Sequence, residues 1–394
     1  MTDPSTPLSD ELVERVRELG PTFAERAVRY DRDAAFPHEN FDDLRSIGFL
    51  GLCIPERYGG LGADFAAYAL VAEELGRHCG STALTFNMHS ATCLLTGAIV
   101  DDLALPADER AIVEERRKAL YEDILLNSTI HSQPFSEGLS GRATTGIATT
   151  ATPVDGGYLV NGRKIFASLS ESAGIHDVVC LVPGDDRVRL MGVPAGSDGL
   201  QIVGEWDPLG MRGTVSKTLV FDDVFVPVDN EWLPPGVFDL LATRWPFFYM
   251  TLSFAYLGLS RAVVDFTRSY LRGDIDGSSR AENPQKQAVW ADMNVRYEQA
   301  RALCYRVLAK AGVDPDPDDV KLAWASMVTV METAPELASM AIRACGGRSI
   351  LRPMPLERLY RDARCGATML PWSVEVCLDR LGRHGLGDSD ESFA

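Results

Sequence analysis

Two imidazoles stand where they could act as acid or base. His89 falls in Asn87-Met88-His89-Ser90, and His131 directly precedes Ser132. An imidazole changes charge near neutral pH, so either could move a proton in a reaction. His89 reads equally well as a core histidine bonded to backbone, and His131 is the weaker candidate. Carboxylates offer a second route. Glu137 lies in the segment Phe135 to Gly141, and Glu375 lies near the carboxy terminus. A base must come within hydrogen-bond reach of the proton it takes. Glu375 also reads as a surface helix glutamate. Trp245, Phe247, Phe248, Tyr249 and Trp372 would suit a dry aromatic pocket, and they suit an ordinary hydrophobic core equally well. Phe166 and Ser168 are two residues apart in an alternating stretch, which turns both to one strand face.

These groups need elements to position them. The first third reads helical: Asp64 caps a helix on which Phe65, Tyr68, Ala72 and Leu75 recur at helical spacing. Ser81 to Ile99 is small and apolar, as a buried helix would be. From about Tyr121 the pattern alternates. Tyr158 to Val160, Asn161-Gly162 and Lys164 to Phe166 predict a hairpin, because Asn-Gly suits a tight turn. Val178 to Val182, Val188 to Val193 and Thr218 to Val226 predict further strands. After Pro234 the chain is helical again. Met293, Tyr297, Ala300, Cys304, Val307 and Leu308 share one face, and a long helix from about Asp318 to Ala344 carries a kink near Pro335. The order helix, β, helix gives an α+β chain of three domains, 1–120, 121–232 and 233–394.

Composition narrows the function classes. The 394 residues carry a net charge of -18, which argues against a nucleic-acid or anionic-membrane partner. No run of about 18 apolar residues suggests a membrane span. The first ten residues are polar with no targeting pattern, so a cytoplasmic location is expected. The eight cysteines are scattered and read as buried small hydrophobes. The six histidines show no paired ligand spacing, so no metal site is expected.

Several segments, taken in order, carry more. They are Ile54-Pro55-Glu56-Arg57-Tyr58-Gly59-Gly60-Leu61-Gly62, Ser132-Gln133-Pro134, Asn161-Gly162-Arg163-Lys164-Ile165-Phe166-Ala167-Ser168 and Leu209-Gly210-Met211-Arg212-Gly213-Thr214. Phe221-Asp222-Asp223-Val224-Phe225-Val226-Pro227, Gly346-Gly347-Arg348-Ser349 and Pro355-Leu356-Glu357-Arg358-Leu359-Tyr360-Arg361-Asp362 complete the series. The series resembles the acyl-CoA dehydrogenase superfamily. The resemblance implies an amino-terminal helical domain, a central β-barrel-like domain and a carboxy-terminal four-helix bundle, with FAD bound between them.

It also implies roles. Phe166 would sit against the flavin ring and Ser168 near its reactive edge. Ser132 would donate to the ring edge, and Ser140 or a neighbouring backbone N–H to the pyrophosphate. Gly346 and Gly347 would bring backbone close to the cofactor, with Gln287 as a further flavin contact. Arg280 would stand in for the arginine of a motif that is degraded here after Tyr270-Leu271-Arg272. The family's catalytic glutamate falls in a Glu-Gly-Thr run. The matching stretch here is Leu370-Pro371-Trp372-Ser373, and Ser373 joins the cofactor-binding candidates. The alternative base position found in some members falls near Phe248, and Arg244 is the nearest candidate for a CoA contact. Glu357-Arg358 and Arg361-Asp362 read as structural ion pairs.

The leading expectation is α,β-dehydrogenation of an acyl thioester, carried by CoA or a carrier protein, with His89 and Glu375 as catalytic candidates. A flavin monooxygenase using reduced flavin and O₂ on another organic substrate explains the missing acid. A catalytically silent partner subunit is the third possibility. A homotetramer is expected by resemblance, served by an electron-transfer flavoprotein or a flavin reductase.

Overall fold

The computed structural model describes residues 6–138 and 146–387. Five helices open the chain: α1 Pro7–Asp33, α2 His38–Ser46, α3 Phe65–His78, α4 Gly80–Leu94 and α5 Ala107–Asn127. Asp64 caps α3 by accepting the Ala67 N–H at 2.8 Å, satisfying a donor the helix itself cannot pair. A π-helical turn, Leu95–Ile99, continues α4. The helix α5 runs through Asn127, past the change of texture at Tyr121, because Leu120, Tyr121 and Ile124 still bury one helical face.

Seven strands follow: β1 His131–Ser132, β2 Thr150–Val154, β3 Gly157–Ala167, β4 Ile175–Val182, β5 Asp185–Pro194, β6 Leu200–Val203 and β7 Lys217–Pro227. They form one sheet in the order β1-β4-β2-β3-β7-β6, with β5 paired to β4. The expected hairpin at Asn161-Gly162 is absent. Strand β3 runs straight through those residues, and the tight turn lies earlier, at Asp155-Gly156 between β2 and β3. Gly162 marks a register shift against β7 instead. Its φ is +149°, and a Cβ there would meet the Thr149 side chain at 2.7 Å.

The carboxy-terminal part comprises α6 Val237–Arg244, α7 Ser253–Arg272, α8 Pro284–Leu308, α9 Pro317–Cys345, α10 Pro355–Cys365 and α11 Val374–Leu386. The long helices α7, α8 and α9 pack together, and α10 and α11 lie against α9. Pro335 sits inside α9 as the sequence suggests. Met293, Tyr297, Ala300, Cys304, Val307 and Leu308 are the buried face of α8. The segment Pro246–Arg272 is long and apolar enough to cross a membrane by composition, but 89% of its apolar window is buried within the protein. One continuous core joins the amino-terminal helices, the inner face of the sheet and the carboxy-terminal helices. All eight cysteines are free, and seven are buried.

Candidate active site

A cavity of about 300 Å³ opens where the three parts meet. Helix α4 contributes Leu84, Asn87 and Met88, and the segment after β1 contributes Gln133, Phe135 and Ser136. The end of β3 brings Ile165, Phe166 and Ser168. The loop before β7 adds Trp206, Met211, Thr214 and Ser216, and Phe248, Tyr249, Met369, Leu370 and Pro371 close the carboxy-terminal side.

The carboxy-terminal signature holds one wall in place. Asp362 on α10 accepts the Met211 N–H at 2.6 Å, and Arg361 donates to Leu209 O at 3.0 Å. Arg361 is itself fixed by Glu357 at 2.9 Å and Asp31 at 2.6 Å. Gly210 lets the two backbones touch, since a Cβ there would lie 2.4 Å from the Arg361 carbonyl. Burial pushes the Asp362 carboxyl up to about 6, with Arg358 opposing. Arg358 lies 3.6 Å from Asp362, so the four charges do pair within α10, but with partners exchanged from the expected Glu357-Arg358 and Arg361-Asp362. At helical spacing of four, Glu357 meets Arg361 and Arg358 meets Asp362.

Backbone strain gathers at this cavity. Phe166, Leu169, Met211 and Val215 all have positive φ, between +44° and +62°. Side chains other than glycine rarely hold such angles, least of all a β-branched valine. The turn at Phe166 breaks strand alternation, so the aromatic ring stands 66% exposed with its edge toward Trp206, centroids 6.5 Å apart. Beyond it runs a chain of hydroxyls: Ser168 to Ser216 at 2.9 Å, and Ser216 to Thr214 at 2.7 Å. An exposed aromatic face beside a polar edge fits the isoalloxazine ring of a flavin.

The other expected site residues lie elsewhere. Ser132 is fully buried with its hydroxyl against His176 Nδ1 at 2.7 Å, and its neighbour Gln133 lines the cavity instead. Ser140 falls outside the described residues. His89 does not reach the cavity as an acid or base. Its Nε2 meets Leu50 O at 2.8 Å and its Nδ1 accepts the His131 N–H at 3.1 Å, so backbone occupies both nitrogens. Burial pushes its pKa down to about 4. His131 is buried with Nδ1 3.0 Å from Asp177. Glu375 is exposed in the first turn of α11, and Ser373 is the cap of that helix, accepting the Val376 N–H at 3.3 Å.

Glu137 pairs with buried Lys164 and accepts the Thr149 hydroxyl at 2.6 Å. Burial acts to raise its pKa, but Lys164 outweighs that and the carboxyl ends below its ordinary value. Arg244 is held by Asp314, and Trp372 is buried between Tyr249 and Trp324. His384 stacks on the Trp324 ring at 5.5 Å rather than standing free in solvent. Of the five aromatics proposed for a pocket, Phe248 and Tyr249 line it, and Trp245 and Phe247 are core.

Arg280, Gln287, Gly346 and Gly347 line no part of this cavity. They belong to a separate surface region in which Arg280 binds Asp276 at 2.9 Å, and Arg348 approaches the same carboxylate at 3.5 Å. Gln287 donates to Ala281 O at 2.8 Å, and Gly346 takes a φ of +83°.

The residue types along the cavity decide what it can do. Among the described residues that line it there is no Asp, Glu, His, Lys or Arg. Leu370 stands on the wall 53% exposed, and Phe248 is buried in it. Tyr249 and Cys365 are the ionisable side chains present, and burial pushes them up to about 12 and about 11.

Family models place this architecture. Residues 6–100 match the acyl-CoA dehydrogenase N-terminal domain, 133–224 the middle domain and 249–370 the C-terminal domain. The chain belongs to the acyl-CoA dehydrogenase family. It is an oxidoreductase flavoenzyme of that family. It is 27% identical to the short-chain specific acyl-CoA dehydrogenase of Clostridium acetobutylicum, covering 89% of this chain and 92% of that one. It is also 27% identical to the L-evernosamine nitrososynthase of a Micromonospora species, covering 99% and 93%. Among solved structures, the dibenzothiophene monooxygenase TdsC of Paenibacillus sp. A11-2 matches with a TM-score of 0.80 at 24% identity, covering 98% and 100%. TdsC has also been solved with FMN bound. At that identity the likeness shows the fold alone.

Proposed function

We propose that this acyl-CoA dehydrogenase family member is a flavin-dependent monooxygenase acting on a small, uncharged, largely apolar substrate. The observation that carries the reading is that the described residues of the cavity wall are all neutral. Removing the α-proton of a thioester asks for a carboxylate at the reacting carbon. Both positions where the family resemblance expects one, Leu370 and Phe248, are apolar wall residues. Oxygenation needs no such base. Flavin bound here would supply two electrons, so that one atom of O₂ enters the substrate and the other leaves as water.

The chain's own part is binding and exclusion. Phe166 and Trp206 offer the apolar face, and Gln133, Ser168 and Ser216 the polar edge. Phe248, Tyr249, Met369 and Leu370 keep water from the reacting atoms. The nitrososynthase relative supports the reading, because it aligns over nearly the whole chain. The names of the dehydrogenase relatives favour thioester dehydrogenation as the second reading. The family resemblance favours FAD. Asp276 pairs with Arg280, the residue expected to reach a partner subunit's pyrophosphate in a tetramer, so we expect FMN to bind as well.

The test is turnover under ¹⁸O₂ with reduced flavin supplied by a flavin reductase and indole as the substrate probe. The reading predicts one ¹⁸O atom in the product. An enoyl product from an acyl-CoA, with no oxygenated indole, would reverse it.

A further inference from the structure

Behind the neutral wall lies a polar network whose outlet to the cavity is Gln133. Asp177 on β4 is fully buried. It accepts the Trp232 Nε1–H at 2.7 Å, lies 3.0 Å from His131 Nδ1 and accepts the Thr92 hydroxyl at 2.6 Å. Thr92 has one hydroxyl proton, and Asp177 takes it. Toward Gln133, 3.1 Å away, Thr92 can therefore only accept, which turns the Gln133 NH₂ to Thr92. The amide carbonyl oxygen is left as the end not turned to Thr92, on a side chain that lines the cavity and is partly exposed.

We propose that Gln133 presents a fixed hydrogen-bond acceptor to the cavity, oriented by Asp177 through Thr92, and that the site thereby selects ligands carrying an N–H donor. Without Thr92 to fix it, the amide could turn either end to the ligand. An N–H group and an oxygen or N-methyl analogue would then bind alike. A buried acceptor left without its donor is costly, and this asymmetry makes such a contact selective. The donor could be the flavin ring N3–H or an N–H of the substrate, and the chemistry is the same. Asp177 and Thr92 are positioning residues, and Gln133 makes the contact. The inference rests on the cavity being the flavin and substrate site.

The experiment titrates the full-length protein with two probe pairs: FMN against 3-methyl-FMN, and indole against benzofuran. Wild type should favour the N–H member of at least one pair by about tenfold, the yield of one hydrogen bond. Thr92→Val and Gln133→Leu should bring that ratio close to one, and Thr92→Ser should keep it. A merely structural role for Thr92 would not separate valine from serine in this ratio. Preference confined to the flavin pair supports the inference with the acceptor on the cofactor. Preference confined to the indole pair supports it with the acceptor on the substrate. Equal binding within both pairs, or a preference that survives Thr92→Val and Gln133→Leu, overturns it. No binding of any of the four overturns the flavin-site reading, and the inference with it.

Discussion

Along the cavity, Phe248, Met369 and Leu370 offer no group that titrates near neutral pH. In the layer reached through Gln133 and Thr92, by contrast, His89, His131, His176 and Asp177 are all fully buried. The contrast separates two uses of polar chemistry. Groups sealed behind the wall are bonded to fixed partners through His89, Asp177 and the Nδ1 atoms of His131 and His176. Nε2 of His131 and of His176 has none among the described residues, and the bonded groups hold shape and orientation. A reaction run in front of the wall has to draw on flavin, O₂ and shape, because the described wall residues supply no carboxylate, imidazole or amine.

The contrast can be broken from the buried side first. Asp177→Ala leaves His131, Trp232 and Thr92 without their shared acceptor, and should cost about 3–5 kcal/mol of stability by urea unfolding. A loss below about 0.5 kcal/mol, the range of surface changes, would show that the network is dispensable. On the cavity side, Phe166→Ala should leave stability nearly unchanged, since the ring is exposed and alanine keeps the same Cβ at the positive φ. Flavin affinity should fall by about ten- to a hundredfold, as lost burial of one aromatic would produce. Unchanged affinity in a flavin titration would remove Phe166 from the flavin site.

The pH dependence should separate the two layers. In the folded state His89 and His176 are each pushed from 6.5 down to about 4, mainly by burial. Between those values the unfolded chain binds more protons than the folded one, so stability falls as pH drops. The urea midpoint should therefore be lower at pH 5 than at pH 7. The oxygenation step, followed by rapid mixing, should vary little from pH 6 to pH 8. A step that follows one ionisation in that range would place a titrating group at the reacting atoms. The smallest effect is expected at Glu375→Gln, where an exposed first-turn residue should change stability by no more than about 0.5 kcal/mol and leave flavin reduction untouched. An acyl-CoA that bleaches the wild-type flavin and not that of this variant would restore Glu375 as a base.

Local signals in the sequence carried much of the fold. The Asp64 cap, the apolar face of α8 and the long α9 with Pro335 rest on spacing within one element, and each stands where spacing puts it. The Asn161-Gly162 signal misled because it was read as a turn. The glycine there serves close approach to Thr149 inside a strand, a tertiary demand that a dipeptide does not reveal. Phe166 and Ser168 are legible through a motif, and both line the cavity, although the positive φ at Phe166, rather than strand alternation, sets the ring there. His89 and Ser132 were misplaced because their partners, Leu50 and His176, lie 39 and 44 residues away. Gln133, beside the more familiar Ser132, is the lining residue the motif does not point to. The signal that could have found it is its place beside Pro134, where the chain leaves a buried strand.

The central claim, a flavin site without a base, is tested most directly by anaerobic mixing of the oxidised, flavin-loaded protein with acyl-CoAs of graded chain length. The account predicts that the flavin absorbance persists with every one of them. Bleaching by any acyl-CoA would show α-proton removal and hydride transfer at this wall, and would contradict it.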